Sequence, residues 1–338
     1  MSNALFYNQF QPVCFDKCTA CGSCIQICPK KCISYKKNDY GTTIALKNME
    51  DCCACNLCEQ ACPQLNDSPW NYPLESYAAW SMDKNIRETS ASGGIATELY
   101  RYCSGNGYYY SGVKMNDNLL PEYGLYSSEK EFLAFQNSKY VHSDTKTVYF
   151  EIGELLKRDK KVLFIGIPCQ VAGLQQYIKT KKISDNNLIV VDIVCHGTTE
   201  THILQEHISF IEKKYNNTTT GVFFRDPEEG THTFTFSLKN GEKTYYKKKV
   251  HRNDAYQVGY HYGITYRENC YKCKYARRER VGDLTISDYS GLGKAASCDY
   301  GPRNVSCILV NTLKGKQIFL AIKDVLIHAD KRPFCVFW

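Results

Sequence analysis

A cysteine run that occurs twice is the feature that most constrains this chain. Cys18-Thr-Ala-Cys21-Gly-Ser-Cys24-Ile-Gln-Ile-Cys28-Pro29 returns 34 residues later as Cys52-Cys-Ala-Cys55-Asn-Leu-Cys58-Glu-Gln-Ala-Cys62-Pro63. In runs of this spacing, three neighbouring thiolates wrap one 4Fe-4S cluster, while the fourth cysteine, before the proline, ligates a second cluster. Two complete runs therefore predict two clusters with crossed ligands.

The crossed pattern assigns every in-register cysteine of the two runs. The first cluster takes Cys18, Cys21, Cys24 and Cys62, and the second takes Cys52, Cys55, Cys58 and Cys28. Residues 1–66 are accordingly predicted to form an α+β domain similar to two-cluster bacterial ferredoxins. Two zinc sites are the alternative, because CxxC pairs also bind zinc, but two runs that each end in Cys-Pro favour the clusters. Cys14, Cys32 and Cys53 fall outside the register and are predicted to be buried or partly exposed thiols.

Cysteine usage also bears on the compartment. The chain has 338 residues and 19 cysteines, eleven of which lie between Cys14 and Cys62. Disulfides form in oxidising compartments, yet the N-terminus shows no basic segment followed by an apolar one, as a secretory signal has. We therefore expect a cytoplasmic protein. The longest apolar runs, such as residues 188–194, are far too short for a membrane-spanning helix, so no transmembrane segment is expected.

The pattern beyond residue 66 is typical of an α/β domain. Residues 67–76 contain two prolines and turn-forming residues, which indicate a linker. A buried strand at 161–167, a helix to about residue 179 and a buried strand at 188–194 predict a βαβ unit with parallel strands.

The remaining segments extend this prediction to a partly parallel sheet with an antiparallel insertion, the latter at residues 221–249. Thr89 and Ser90 are predicted to cap a helix that runs to Tyr102, and residues 315–327 to form a closing helix. We expect residues 77–150 and 151–338 to be the N-terminal and C-terminal parts of this domain.

Four further cysteines occupy positions that favour a third metal site. Cys169 and Cys195 each follow one strand of the βαβ unit, where open α/β sheets bind their ligands, and Cys270 and Cys273 form a CxxC in a basic, turn-like segment. Together they supply four thiolates for a third 4Fe-4S cluster. Ordinary buried cysteines, with a redox-active or zinc-binding CxxC, are the alternative. His196, beside Cys195, is a candidate proton donor.

The basic charge lies outside the cysteine runs. Six lysines cancel six acidic residues in positions 1–67, so the net charge of +7 arises downstream. It concentrates at Lys247-Lys248-Lys249 with Arg252, and at Lys272, Lys274, Arg277, Arg278 and Arg280. No nucleic-acid-binding motif accompanies this charge, so we expect a docking face for an anionic cofactor or an acidic redox partner. A solvated basic face is the alternative.

Six motifs in order give the chain a family resemblance. They are Ser90-Ala-Ser-Gly-Gly-Ile-Ala96, Ser138-Lys-Tyr-Val141, Lys161-Val-Leu-Phe164 with Pro168-Cys-Gln170, Val191-Asp-Ile-Val-Cys-His-Gly197, Arg267-Glu-Asn-Cys-Tyr-Lys-Cys273 and Gly282-Asp-Leu-Thr-Ile-Ser-Asp288. Together with the N-terminal runs, they make the chain similar to the beta subunit of coenzyme F420 hydrogenases and dehydrogenases. That family includes bacterial members and the plant reductase of 7-hydroxymethyl chlorophyll. From the resemblance we expect a longer C-terminal part than the one that ends here at Trp338.

The resemblance implies a third 4Fe-4S cluster and an FAD bound at the sheet edge. The implied flavin-site residues are Ser90, Ser92, Gly93, Gly94, Lys139, Tyr140, Pro168, Gln170, His196, Gly197, Asp283 and Asp288. Lys139 and His196 are the candidate catalytic residues.

The implied activity is that of an iron-sulfur flavoprotein oxidoreductase, with ferredoxin or another redox protein as one partner. The flavin would exchange a hydride with coenzyme F420 or another reducible organic molecule. A non-catalytic electron-transfer subunit of a larger redox complex is the alternative function.

Overall fold

A small antiparallel sheet and two short helices form the N-terminal region. The computed structural model describes residues 9–128, 131–250, 252–290 and 303–333, with positions 292, 298, 300 and 301. The first elements are β1 (Phe10–Pro12), α1 (Ser23–Ile27), β2 (Ile33–Lys37), β3 (Thr43–Asn48) and α2 (Leu57–Gln60). The strands pair in the order β1-β3-β2. This arrangement positions each cysteine run immediately before or within a short helix.

The sequence repeat is visible in the backbone of the two runs. Ala20 and Gly22 in the first run, and Ala54 and Asn56 in the second, all have positive φ angles between 50° and 84°. Left-handed residues at the same two positions curl each loop tightly, so that successive cysteines turn toward a common side. The repeat is therefore conformational as well as chemical.

An eight-stranded mixed sheet forms the body of the molecule. Its strands are β4 (Glu75–Ser81), β5 (Tyr109–Met115), β6 (Pro121–Tyr126), β7 (Val162–Gly166), β8 (Leu188–Ile193), β12 (Leu284–Asp288), β13 (Ser306–Val310) and β14 (Ile327–Arg332). They lie in the order β14-β4-β13-β12-β8-β7-β5-β6. The four strands β12, β8, β7 and β5 pair in parallel, and the flanking pairs are antiparallel. The prediction of a partly parallel sheet is confirmed.

Helices cover both faces of this sheet. They are α3 (Lys84–Thr89), α4 (Ile95–Gly105), α5 (Val148–Leu156), α6 (Pro168–Thr180) and α9 (Leu313–Ile322). The helices α7 (Thr201–Tyr215) and α8 (Ala255–His261) pack against a second, smaller sheet. Alternate residues of β7 enter opposite cores: Leu163 and Ile165 pack with α4 and α9, whereas Val162 and Phe164 pack with α5 and α6. Because β7 is buried on both faces, its sequence is continuously apolar, which is why the sequence revealed it.

The predicted antiparallel insertion is also present. The strands β9 (Gly221–Phe223), β10 (Phe236–Asn240) and β11 (Lys243–Lys248) form a separate sheet in the order β11-β10-β9. This sheet shares an apolar core with α7 and α8 through Leu204, Ile208 and Tyr256. It carries Arg225, just beyond β9, toward the main sheet.

Two sequence predictions about helices need correction. The helix predicted to start at Thr89-Ser90 starts at Ile95, because Ser90 terminates α3 and Gly94 at the N-cap has a φ of 84°. The closing helix ends at Ile322; a turn follows, and Ile327, the last residue assigned to the helix, begins β14 instead. The chain end at 334–338, including the early termination that the resemblance raised, lies outside the described residues.

Candidate redox site

The N-terminal region brings the thiols of the first predicted cluster together. We call Cys18, Cys21, Cys24 and Cys62 the first thiol group; all four are buried. Burial raises the pKa of Cys21 to about 12, and the nearby Cys62 and Cys18 contribute to the increase. Burial likewise raises the pKa of Cys24, next to Cys18, Cys21 and Cys62. The cysteine from the second run thus stands among the three of the first.

The four cysteines of the second predicted cluster line one concavity. The second thiol group consists of Cys28, Cys52, Cys55 and Cys58. Its other lining residues are Cys32, Ile33, Lys47, Cys53 and Asn56. It opens at the surface, since Cys55 is exposed and Cys52 is half-buried. A space walled by thiolates fits a cluster, in which each cysteine binds a different iron atom.

Two cysteines outside the register stand beside these groups. Cys14 lies within hydrogen-bond reach of Cys18 and Cys62; its interaction with Cys18 is the main reason that the pKa of Cys18 is lowered to about 6, and both interactions raise the pKa of Cys14. The sulfur atoms of Cys32 and Cys28 are 3.5 Å apart. As predicted, Cys14 and Cys32 are buried and Cys53 is exposed. The sequence did not reveal how close the first two lie to the thiol groups.

The carboxyl edge of the main sheet gathers the third thiol group, which comprises Cys169, Cys195, Cys270 and Cys273. The carboxyl edge is the one at which β5, β7, β8 and β12 end. Cys169 lies in the first turn of α6, Cys195 follows β8, and the CxxC belongs to a short 3-10 helix and its end. Burial raises the pKa of Cys169, and Cys195, Cys273 and Cys270 raise it further. The four cysteines therefore lie near one another.

The three thiol groups follow one another across the molecule. Gly173 in α6 lies against the first group, because a Cβ atom there would stand 3.1 Å from the sulfur of Cys21. Cys21 is also among the thiols that raise the pKa of Cys169. At the other end, Cys58 is among those that raise the pKa of Cys24. The order is third group, first group, second group.

None of these groups forms a site for a single metal ion: within the described ranges, no group of three or more histidine, cysteine, aspartate or glutamate side chains could hold one.

Arg225 joins several of the implied flavin-site residues at the carboxyl edge. Its guanidinium group donates two hydrogen bonds to the Asp288 carboxylate, at 2.5 and 3.2 Å, and one to the carbonyl of Ala91 at 2.5 Å. Its Nε–H donates to the hydroxyl of Tyr140 at 2.5 Å, and the guanidinium covers the Phe234 ring at 3.8 Å. Asp288, Tyr140 and the turn before α4 are thereby held around one buried cation.

The glycine turn before α4 serves packing first. The N–H of Gly93 donates to the hydroxyl of Ser306 at 2.8 Å, and the Ser92 hydroxyl donates to the carbonyl of Val305 at 3.0 Å. A Cβ atom on Gly93 would collide with the carbonyl of Ala79. Among the described residues, no side chain caps the amino end of α4 at Gly94, so its first N–H groups have no side-chain acceptor there.

Lys139 lies behind this turn, and its position is chemically unusual. Its ammonium group donates to the carbonyls of Phe135, Gln136 and Asn137 at 2.7 to 3.3 Å. Burial nevertheless lowers the pKa of Lys139 to about 7. Gln136 connects it to the turn by donating to the Ser90 hydroxyl at 2.9 Å. A lysine so poised can hold or release a proton near neutral pH.

His196 and Gly197 follow the third thiol group directly. His196 is exposed at the carboxyl edge. Gly197 has a φ of 144° and supports the Tyr266 ring, whose nearest atom would be 2.6 Å from an added Cβ. Tyr266 and Tyr260 lie between Cys195 and Tyr140. Burial is the main cause that raises the pKa of both tyrosines, and Cys195 is the next. The ring of Tyr260 stacks on that of Tyr140, with 4.5 Å between the ring centres.

Three implied flavin-site residues lie elsewhere or are fully engaged. Asp283 precedes β12 at the opposite, amino edge, where it accepts from the Val190 N–H and the Thr312 hydroxyl. Gln170 accepts from Tyr123 and donates to the carbonyl of Ser143. Pro168 is buried at the first position of α6. These positions favour structural roles for all three.

Sequence reasoning did not reveal that Arg225 and Arg267 are buried, and the expected basic docking face wrongly included Arg280, which is also buried. Arg280 pairs with Asp192 at 3.2 Å inside the sheet, and Arg267 pairs with Glu200 at 2.6 Å. The only local signal at Arg225 is a charged Arg-Asp pair that ends an apolar run, and such a pair more often indicates a solvated turn. Their burial is decided by tertiary contacts.

The fold and its thiol groups define a mixed α/β protein with four neighbouring cysteines at the carboxyl edge of its main sheet. Residues 159–331 match the family described as the C terminus of the coenzyme F420 hydrogenase/dehydrogenase beta subunit. The match spans just over half of the chain, so the chain belongs to this family, as its motifs predicted.

A solved structure agrees at the level of fold. The chain is similar to one from the F420-reducing NiFe hydrogenase complex of Methanosarcina barkeri, with a TM-score of 0.51 and 16% sequence identity. The alignment covers 77% of this chain and 82% of that one. No curated protein matches the chain significantly in sequence. Among the described residues, no helix is long and apolar enough to cross a membrane.

Proposed function

We propose that this protein is an iron-sulfur flavoprotein oxidoreductase that exchanges electrons between a redox partner and a small organic substrate. The observation that carries the proposal is the row of three four-cysteine groups, which leads from the N-terminal surface to the carboxyl edge of the sheet. Each group supplies the four thiolates that a 4Fe-4S cluster requires. Family membership in hydrogenases and dehydrogenases supports a redox role.

The first and second thiol groups would hold the two N-terminal clusters in a ferredoxin-like domain, residues 1–66. The third group would hold a further cluster next to the flavin. Residues 67–76 would link this domain to the two parts of the α/β domain, 77–150 and 151–338. Three clusters in series conduct single electrons, and the protein tunes them through burial and hydrogen bonds to sulfur.

The residues at the carboxyl edge fit an anionic, phosphate-bearing cofactor such as FAD. Arg225, Lys139 and His196 bring basic groups to this edge, and the amino end of α4 adds N–H groups without a side-chain cap from the described residues. Arg225 and the turn at Ser90 to Gly94 would hold the cofactor. A bound flavin supplies the conversion between hydride transfer and single-electron transfer.

The side chains at the carboxyl edge would have separate roles in binding and in proton transfer. Tyr140, stacked on Tyr260, would form an apolar wall, and the Tyr266 ring, which lies against Gly197, would extend this wall toward Cys195. Lys139, whose pKa is about 7, would hold or release a proton beside the reacting substrate. His196, exposed next to Cys195, is the second candidate proton donor.

Coenzyme F420 is the first substrate to test, because it is in the family name. Another reducible organic molecule could occupy the same edge. The basic segment Lys247 to Lys249 would suit an acidic group on the substrate. Ferredoxin or another redox protein would be the partner, and the cytoplasm the setting.

A second function has a specific observation behind it. The similar solved chain belongs to a hydrogenase complex, so this protein could be a non-catalytic electron-transfer subunit of a larger assembly. The exposed second thiol group would then be the surface that meets the other subunit.

Anaerobic purification followed by iron, sulfide and flavin analysis tests the proposal. About twelve iron atoms and one FAD per chain are expected with all three clusters and the flavin in place. Iron without flavin would support the electron-transfer subunit, and colourless, zinc-loaded protein would contradict both functions. Turnover of reduced F420 with an artificial electron acceptor then tests the substrate.

A further inference from the structure

A buried ion pair joins the N-terminal region to the α/β domain. Arg267 and Glu200 are 2% and 5% exposed, and their nearest charged atoms are 2.6 Å apart. Burying two charges costs several kcal/mol of desolvation, and such pairs are often no more stabilising than apolar residues. Stability alone is therefore a weak reason for this pair.

The cation makes its other contacts to the N-terminal region. One terminal nitrogen of Arg267 donates to the carbonyl of Thr19 at 2.7 Å, and the other donates to the carbonyl of Thr43 at 2.6 Å. Glu200 accepts from the N–H and the hydroxyl of Thr43, at 2.9 and 2.7 Å. The pair thus clamps the loop of the first thiol group and strand β3 onto the α/β domain.

Arg267 also lies between two thiol groups. Thr19 directly follows Cys18 of the first group, and Arg267 precedes Cys270 of the third group by three residues. The positive charge of Arg267 contributes to lowering the pKa of Cys18, after the hydrogen bonds from Cys14 and from the backbone of Ala45 and Ala20. The cation contacts both β3 and the residue next to Cys18, whereas Glu200 contacts β3.

A histidine that also contacts Arg267 is neutral. The Nδ1 atom of His142 lies 3.3 Å from Arg267, and it must accept the hydrogen bond because a guanidinium group can only donate. Burial, followed by the charge of Arg267, lowers the pKa of His142 to about 3. Among the described residues in direct contact here, Arg267 and Glu200 are consequently the two fixed charges.

We propose that Arg267 is a positioning residue that raises the reduction potential of the first cluster and holds that cluster against the third, with Glu200 limiting the increase. The proposal rests on the proposed function. Reduction adds one negative charge to a cluster, and a buried cation beside it favours the reduced form far more than an exposed cation does.

Opposite potential shifts in two variants test this role. Glu200→Gln keeps a side chain that accepts from Thr43 but removes the negative charge, so the potential should rise. Arg267→Gln leaves Glu200 unpaired, so the potential should fall. Each shift should reach about a tenfold change in the equilibrium for reduction, which is 59 mV for one electron. The readout is the set of midpoint potentials from redox titrations followed by electron paramagnetic resonance.

Three controls separate charge from structure. Lys17→Gln removes an exposed charge next to Cys18 and should shift every midpoint far less than the tenfold change expected of the other two variants, because solvent screens that charge. Arg267→Lys keeps the charge and should restore most of the potential, and it also serves if Arg267→Gln does not fold. Repeating the titrations in a Cys195→Ala background restricts the signals to the N-terminal clusters.

Shifts of the same sign in both variants, or shifts no larger than that of Lys17→Gln, would overturn the role of Arg267. Either outcome counts against Arg267 only if the wild-type protein contains its full iron and sulfide. A wild-type protein that lacks iron and sulfide would instead overturn the proposed function, before any titration is made.

Discussion

The two N-terminal thiol groups and the third thiol group each gather four cysteines, but on very different scaffolds. The N-terminal region is built from strands of three to six residues, and most members of its apolar cluster are themselves cysteines, joined by Val13, Ile33 and Ala45. The third group stands on an eight-stranded sheet with extensive apolar cores on both faces. The first scaffold consists largely of its own ligands, whereas the second exists independently of them.

This difference predicts which region needs its metal in order to fold. A small region with few apolar side chains gains much of its folding free energy from ligand binding, as small metal-binding domains do. A large sheet with continuous buried strands does not. Removal of iron and substitution of single cysteines can each test this predicted difference between the two regions.

Iron removal should have the largest effect. After anaerobic chelation under reducing conditions, amides of β2 and β3 should exchange hydrogen roughly 100-fold faster or more, because cluster ligation supplies several kcal/mol there. Amides of β7 and β8 should exchange within a few-fold of their original rates. Hydrogen exchange with mass spectrometry measures both, and continued protection of β2 and β3 in the iron-free protein would contradict the contrast.

Single cysteine substitutions should have the next largest effect, and this effect should differ between the two scaffolds. Cys195→Ala should remove about four of about twelve iron atoms and leave the exchange rates of β2 and β3 unchanged. Cys24→Ala should remove a similar amount of iron and also loosen those strands. Cys53→Ala, at an exposed position outside the groups, is the matched control and should retain all the iron. Unchanged iron in Cys195→Ala would show that the third thiol group is not a cluster site.

The same contrast explains what the sequence could predict. The cysteine runs are local and repeated, so their spacing alone brought out both N-terminal groups, and the structure places Cys62 near the first run and Cys28 beside the second. The crossed ligation of two clusters stays a prediction. Cys169 and Cys195 were found because fully buried parallel strands leave continuous apolar runs, and the chain beyond each run must reach one edge.

Edge strands and buried charges were harder to predict. The terminal strands of the main sheet, β6 and β14, contain proline, glycine or alternating charges, because an edge strand buries less and can tolerate them. Arg225 and Arg267 carry no local pattern, since their partners lie 63 and 67 residues away in sequence. The grouping of Arg225 with Asp288 and Tyr140 therefore depends on how the insertion packs against the main sheet.

Arg225→Met tests that grouping at the carboxyl edge. Loss of the guanidinium leaves Asp288 without its bidentate partner and frees the turn at Ala91, so FAD should bind roughly tenfold or more weakly, a difference of about 1.4 kcal/mol. The iron content should remain complete, because no cysteine contacts Arg225 directly in the described hydrogen bonds. Arg278→Met, which removes an exposed arginine, is the control for general loss of charge. Flavin affinity equal to that of the wild type would place the cofactor elsewhere.

Gly93→Ala should lower stability rather than cofactor content, and it refines the meaning of the glycine turn. An added Cβ would meet the carbonyl of Ala79 and stand 2.8 Å from the backbone nitrogen of Ser306, neither of which belongs to a flexible side chain. Overpacking of this kind costs about 1 to 3 kcal/mol of unfolding free energy, which denaturant titration can measure. Gly301→Ala, which enters open space, should change stability little. If Gly93→Ala instead retained its stability and lost FAD, close approach of the cofactor rather than packing would be the reason for glycine here, and the carboxyl edge would depend on its ligand as the N-terminal region does.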